Sequence, residues 1–144
     1  MTLVVNSVGD NVQQPGIYAE TYVPDQLIAG NLKLVTDSVT YLSGASVIPR
    51  GTLVGRITAS GKFIASVSGA SDGSQNPIGF AADAVDVTGG DATGPVYLMG
   101  EFNQNAITYD SSWGGSLAVA VAAIKLKLPV GLFLKTADVA ADPS

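Results

Sequence analysis

Apolar and polar positions alternate over short stretches through the middle of the chain, and turn residues separate the stretches. Leu27-Ile28-Ala29-Gly30 leads into Leu32-Lys33-Leu34-Val35, and a further apolar stretch at 39–42 ends at Gly44. Pro49-Arg50-Gly51 reads as a turn, because proline presets φ and glycine admits conformations other residues avoid. Within 52–58, Leu53 and Ile57 share one face while Thr52, Arg56 and Thr58 point to the other, apart from Val54. That is the period of a half-buried strand. Ser60-Gly61 then turns the chain into Phe63, Ala65 and Val67, which alternate with Lys62, Ile64 and Ser66. A loop rich in Ser, Gly, Asp and Asn over 69–77 precedes a buried strand over 78–82. Gly89-Gly90-Asp91 and Gly94-Pro95 mark 83–95 as a loop. Val96, Leu98 and Phe102 share a face with Gly100 and predict another strand, and 103–115 reads as irregular.

The period changes at 117–128. Leu117, Val121, Ile124 and Leu128 fall at i, i+4, i+7 and i+11, one face of a helix. Leu117, Val119 and Val121 suit a strand equally well, but the alanine content favours helix. Ser116 is placed to cap its start, and Pro129 with Gly131 to stop it. Residues 131–135 read as a last short strand. No internal repeat is present.

The ends differ from the middle. Residues 1–26 hold Pro15, Pro24, Gly9, Gly16 and several Asn and Gln, with no Lys or Arg. Their apolar clusters, Leu3-Val4-Val5 and Ile17-Tyr18, are too brief for a core, so 1–26 reads as an extended arm that orders on a partner. The competing reading is a first strand behind a frayed end. Residues 27–135 form the β-rich domain, and 136–144 a flexible tail. The expected fold class is mostly β, a small barrel or sandwich with one short helix near the C-terminus and an extended N-terminal arm.

Composition narrows the function. At 144 residues one domain with one real core is expected. The chain has no Cys and no His. Disulfides, thiolate metal sites, His-based triads and the commonest metal ligand and general base are therefore excluded. Only 13% of residues are charged, with 7 Lys+Arg against 12 Asp+Glu and a net charge of −5. This disfavours contact with phosphate backbones or anionic membranes, which need clustered cations. So few charges leave much of the surface to Ser, Thr, Gly, Ala and Asn, which suits packing against other protein. The N-terminus lacks the basic and apolar regions of a secretory signal, and the longest apolar run, 117–124, is too short to span a bilayer. Synthesis in a cytoplasm is expected.

Sites of chemistry are hard to build. Ser60-Gly61-Lys62 fails as a phosphate loop, because Arg56 stands where the first glycine is needed and Phe63 where a hydroxyl is needed for magnesium. The spacing of Asp83, Asp86 and Asp91 matches no calcium loop. A histidine-free dyad would draw on Ser111, Ser112 or Ser116 with Lys125 or Lys127. A carboxylate pair would draw on Glu20 and Glu101. Nothing in the sequence fixes either geometry. Trp113 is read evenly as an interface anchor or a cap on the core. No catalytic residue, metal site or cofactor is assigned.

One ordered set of segments remains. Leu27-Ile28-Ala29-Gly30, Pro49-Arg50-Gly51-Thr52-Leu53-Val54-Gly55-Arg56-Ile57, Asp72-Gly73-Ser74-Gln75, Ile78-Gly79-Phe80-Ala81-Ala82-Asp83 and Tyr97-Leu98-Met99-Gly100-Glu101-Phe102-Asn103 follow one another along the chain. In that order and spacing they resemble the lambda-type bacteriophage head decoration, or capsid-stabilising, protein family, from about Tyr18 to Lys135. The resemblance implies a structural, non-enzymatic protein on the outer surface of the virion. It implies homotrimers that sit at three-fold and quasi-three-fold positions of the expanded head and cement the major capsid protein against internal DNA pressure. It implies an N-terminal segment that orders on the shell, and neither nucleic acid nor membrane as a partner. On that reading Val12, Pro15, Ile17, Tyr18 and Tyr22 are the arm's shell contacts, and Asp91 and Trp113 mark the trimer contact. The alternatives are a carbohydrate-binding or adhesin-like β module on a virion or cell surface, and a histidine-free hydrolase that no feature positively supports.

Overall fold

The structure, a computed structural model, describes residues 26–136. It contains β1 (Val35–Tyr41), β2 (Val47–Ile48), β3 (Leu53–Arg56), β4 (Phe63–Ala65), β5 (Pro77–Ala81), β6 (Val85–Asp86), β7 (Ala92–Asn103), α1 (Leu117–Lys127) and β8 (Leu132–Lys135). The fold is mostly β with one short helix near the C-terminus. The arm 1–26, except Gln26, and the tail from 137 lie outside the described residues.

β3 and β4 form the hairpin that the alternation predicts, with Val54 opposite Ala65 and Arg56 opposite Phe63. Gly61 closes its turn with φ 73° and donates its N–H to the Ile57 carbonyl at 2.8 Å. β5 pairs with the other side of β3, and β7 with β5. β1 pairs parallel with β4 at Tyr41–Phe63 and antiparallel with β7 from Val35–Met99 to Tyr41–Ala92. The last pairing closes five strands into a barrel, β1-β4-β3-β5-β7. A closed barrel has no free edge among its own strands, which keeps a weakly charged β domain from pairing with its neighbours.

Two expectations are corrected here. Residues 83–95 are not one loop: β6 pairs with β2, and β7 starts at Ala92 and runs for 12 residues. Gly94 and Pro95 look like loop residues for local reasons, yet both have strand roles. A side chain at Gly94 would strike Val85, so the glycine permits a close approach rather than a turn. Pro95 gives up no ladder donor that the barrel needs, and its carbonyl accepts from Ala82 N–H at 3.1 Å and from the Tyr41 hydroxyl at 2.9 Å. The second correction concerns 27–35. Only an isolated bridge, Ile28 to Phe102, forms there. The strand begins at Val35 and continues through Asp37 and Ser38, because β1 is largely exposed and its polar positions carry no burial pattern to read.

The core has two parts. Inside the barrel lie Tyr41, Val54, Phe63, Ala81, Val85 and Val96. Outside it, Leu53 and Phe80 turn their side chains the other way and meet Phe102, Trp113, Val121 and Ile124. The helix is capped as expected, Ser116 Oγ accepting from Val119 N–H at 3.5 Å. Its buried face is Ala120, Val121 and Ile124, whereas Leu117 is exposed. Gly114 packs against the first turn of the helix, where a Cβ would come within 2.8 Å of the Ala120 nitrogen. Gly79 brings β5 close to β7 in the same way, since a Cβ there would run into the Tyr97 carbonyl.

Tyr41 supplies a test of barrel closure. Its side chain is fully buried, and burial pushes the hydroxyl up to about 12 from the ordinary 10.0. Above pH 10 the unfolded chain gives up this proton while the folded chain keeps it. The contribution is therefore complete below pH 10 and is lost between pH 10 and 12, by about 3 kcal/mol in all. Denaturant midpoints measured across that range are expected to fall, and the Tyr41→Phe variant to fall less steeply.

Candidate interaction surface

Several of the groups that could carry chemistry are engaged in local structure. Ser116 caps α1, Ser112 Oγ accepts from Ser68 N–H at 2.9 Å, and Lys127 Nζ lies 5.4 Å from the centre of the Trp113 ring. Asp83 accepts from Ala84 N–H, and Asp86 from the N–H and hydroxyl of Thr88. Among the described residues no three acidic, His or Cys side chains gather where a metal ion would be held. The aromatic side chains turn mostly inward: Tyr41, Phe63, Phe80, Phe102 and Trp113 are all buried. Phe133 stands half exposed.

The structure does not bring Asp91 and Trp113 together. Asp91 lies beside the barrel, accepting from Ser43 N–H at 2.8 Å and pairing with Lys62. Trp113 is only 3% exposed, packs in the outer core, and donates its indole N–H to the Ser66 carbonyl at 3.0 Å. Of its two readings, the ring itself takes the core position. The surface at that place is made by its exposed neighbours Ser111 and Ser112. Val12, Pro15, Ile17, Tyr18 and Tyr22 lie outside the described residues.

What the structure does define is the root of the arm. Asn103 N–H donates to the Leu27 carbonyl at 2.7 Å, and Ala29 N–H to the Glu101 carbonyl at 2.9 Å. β8 runs parallel to the same segment of β7 on its other side, with Gln104 N–H donating to the Lys135 carbonyl at 2.8 Å. The chain before Leu27 and the chain after Lys135 therefore leave the domain on either side of one short piece of β7. Sequence reasoning missed this, because it follows from two long-range pairings.

Glu101 holds the three pieces together. Its carboxylate accepts from Leu32 N–H at 3.2 Å and from Lys135 Nζ at 3.2 Å. Gly30 has no side chain because that carboxylate occupies the place of its Cβ. The Leu32 N–H, and after it Lys135, hold the Glu101 carboxyl below the ordinary range. Lys62 and the Ser43 N–H do the same for Asp91. A carboxyl depressed in the folded state stabilises above its unfolded pKa, and that contribution is lost as pH falls through the folded one. Stability is thus expected to decline below about pH 4. In Glu101→Gln the decline measured by denaturant midpoint is expected to be shallower, from a lower starting point at pH 7.

Exposed apolar side chains gather near β8. Leu126, Val130 and Phe133 are 88%, 103% and 50% exposed. Lys125, Leu128, Val130 and Phe133 line a groove between the end of α1 and β8.

Among curated proteins taken singly, none matches the chain. The family model described as bacteriophage lambda head decoration protein D matches residues 17–127, which takes in the whole barrel, the root of the arm and α1. Since the match covers well over half of its length, the chain belongs to the bacteriophage lambda head decoration protein D family.

Proposed function

We propose that the protein is a cement for a phage head: it binds as trimers at three-fold and quasi-three-fold positions outside the expanded shell and stabilises the shell against the pressure of packaged DNA. The family match over residues 17–127 carries the reading. The described domain is compatible with it, being a closed barrel in which every buried polar side-chain atom among the described residues has a hydrogen-bond partner. The partner is the major capsid protein, and synthesis in the bacterial host's cytoplasm precedes assembly.

The chain divides by role. Residues 27–135 are the scaffold, 1–26 the arm and 136–144 a tail. A cyclic trimer repeats one head-to-tail interface that closes on itself. For that contact the candidates are the surface beside Trp113 and the 83–95 segment with Asp91. Each trimer offers three arms to a three-fold site, with Val12, Pro15, Ile17, Tyr18 and Tyr22 as the apolar contacts. Arms that add strands to coat edges gain affinity from main-chain hydrogen bonds. Three linked arms of a few kcal/mol each release slowly, because each rebinds before the others let go. A ligand of the expanded state alone stabilises that state by mass action.

The assembly state is the first test. Light scattering on the purified chain is expected to give three times 14.6 kDa, or a concentration-dependent shift from one to three chains. A mass fixed at one chain at every concentration, and no trimer on shells, refutes the trimeric form of the reading.

A further inference from the structure

One end of the barrel forms a cleft of about 540 Å3, within the range of roughly 300–1,000 Å3 that small-molecule sites occupy. All five barrel strands reach it: Val39 from β1, Arg56 from β3, Phe63 from β4, Ile78 from β5 and Leu98 from β7. The period of two explains its make-up. Tyr41 and Val54 point into the barrel, so Val39, two residues before the one, and Arg56, two after the other, follow on the same face. Val39, Ile78 and Leu98 pack against the barrel core and Phe63 is buried, which gives the cleft an apolar floor. Asp37, Arg56 and Ser60 are exposed at its rim.

The rim carries charge. The β3–β4 hairpin sets Arg56 opposite Phe63, and the Ser60-Gly61-Lys62 turn, which fails as a phosphate loop, adds Lys62 beside them. The Arg56 guanidinium lies over Gly61, where a Cβ would sit 3.5 Å from Nη2. Lys62 is neutralised by Asp91. Among the described residues no carboxylate pairs with Arg56. Asp37 lines the same cleft from β1, and its carboxylate accepts from Ser38 N–H at 2.8 Å.

We propose that the barrel mouth binds an amphipathic monocarboxylate: an apolar body seated on Val39, Ile78 and Leu98, with its carboxylate on the Arg56 guanidinium. The planar fork of an arginine matches a carboxylate with two parallel hydrogen bonds. An exposed ion pair alone is worth little, so the apolar floor supplies most of the affinity and Arg56 the orientation. Asp37 repels a second negative charge on the ligand, which disfavours a phosphate dianion. A free carboxylic acid and the C-terminal residue of another protein, where that residue is apolar, share this chemistry.

Titration of the full chain with octanoate, followed by the NMR signals of its methyl groups, tests the site. No shell takes part, so the outcome is separate from that of the decoration role. Saturable shifts are expected at Val39, Ile78 and Leu98, with a Kd of about 1 mM or tighter. Octan-1-ol, which keeps the apolar body and lacks the charge, is expected to bind at least about tenfold more weakly. Arg56→Gln should weaken octanoate by a similar factor with its denaturant midpoint unchanged, because Arg56 is exposed. A peptide ending in leucine, as C-terminal acid and as amide, separates the two sources. An acid that binds more tightly than octanoate assigns the site to a protein terminus, and the reverse order to a free carboxylic acid. The proposal is overturned by unsaturable shifts, by equal binding of octanoate and octan-1-ol, or by equal binding to wild type and Arg56→Gln. Shifts centred instead on Leu128 and Val130, in the groove beside Lys125, overturn it too.

Discussion

Replacing Trp113 with alanine is expected to remove about 3–5 kcal/mol of stability, the usual cost of deleting a large aromatic side chain from a core. Folded domains of this size have about 5–15 kcal/mol in total, so the variant will sit close to its unfolding threshold. The ring is 3% exposed and packs where β3, β5 and the helix meet, so few neighbouring side chains are free to collapse into the space. The change also leaves the Ser66 carbonyl without its indole donor. Trp113→Phe restores most of the packing and not the hydrogen bond, and is expected to cost about 1–2 kcal/mol. Denaturant unfolding followed by circular dichroism reads both variants. In the wild type, the fluorescence of the single tryptophan should shift to longer wavelength in the same transition. A stable Trp113→Ala chain that dissociates from trimers to monomers would instead return the residue to the interface.

Deleting residues 1–20 is expected to have the largest functional effect. The barrel closes among strands that all lie within residues 35–103, so the circular dichroism spectrum and a cooperative unfolding transition should persist. Shell binding should fall by several orders of magnitude. On the trimeric reading proposed above the loss is steep, because a few kcal/mol removed from each of three arms multiplies. A truncated chain that binds as tightly as the full one defeats the arm's role and moves the contact to the domain itself.

The sequence made some of these features readable and hid others for physical reasons. The β3–β4 hairpin and its Gly61 turn were legible because half-buried strands print their burial as alternation. α1 was legible through Ser116 and Pro129. Its buried face was less so, because apolar residues surround the helix and only tertiary packing selects Ala120, Val121 and Ile124. β7 was masked at its start, where Gly94 and Pro95 carry turn chemistry into a strand whose need for them lies in Val85 and Tyr41, far along the chain. Barrel closure through β1 and β7 leaves no local trace, since most of β1 faces solvent. Residues 1–26 were singled out as an arm by composition alone, and all but Gln26 lie outside the described residues. The common exit of the two chain ends was not legible, because it follows from two pairings between segments far apart in the chain.

The decoration role meets its most direct test in sedimentation of the purified protein with emptied phage heads before and after expansion. The account predicts saturable binding to expanded heads, at three chains per three-fold or quasi-three-fold position, with raised resistance of those heads to rupture and no binding to unexpanded ones. Equal binding to both forms, or none to expanded heads of the phage that encodes the chain, contradicts it.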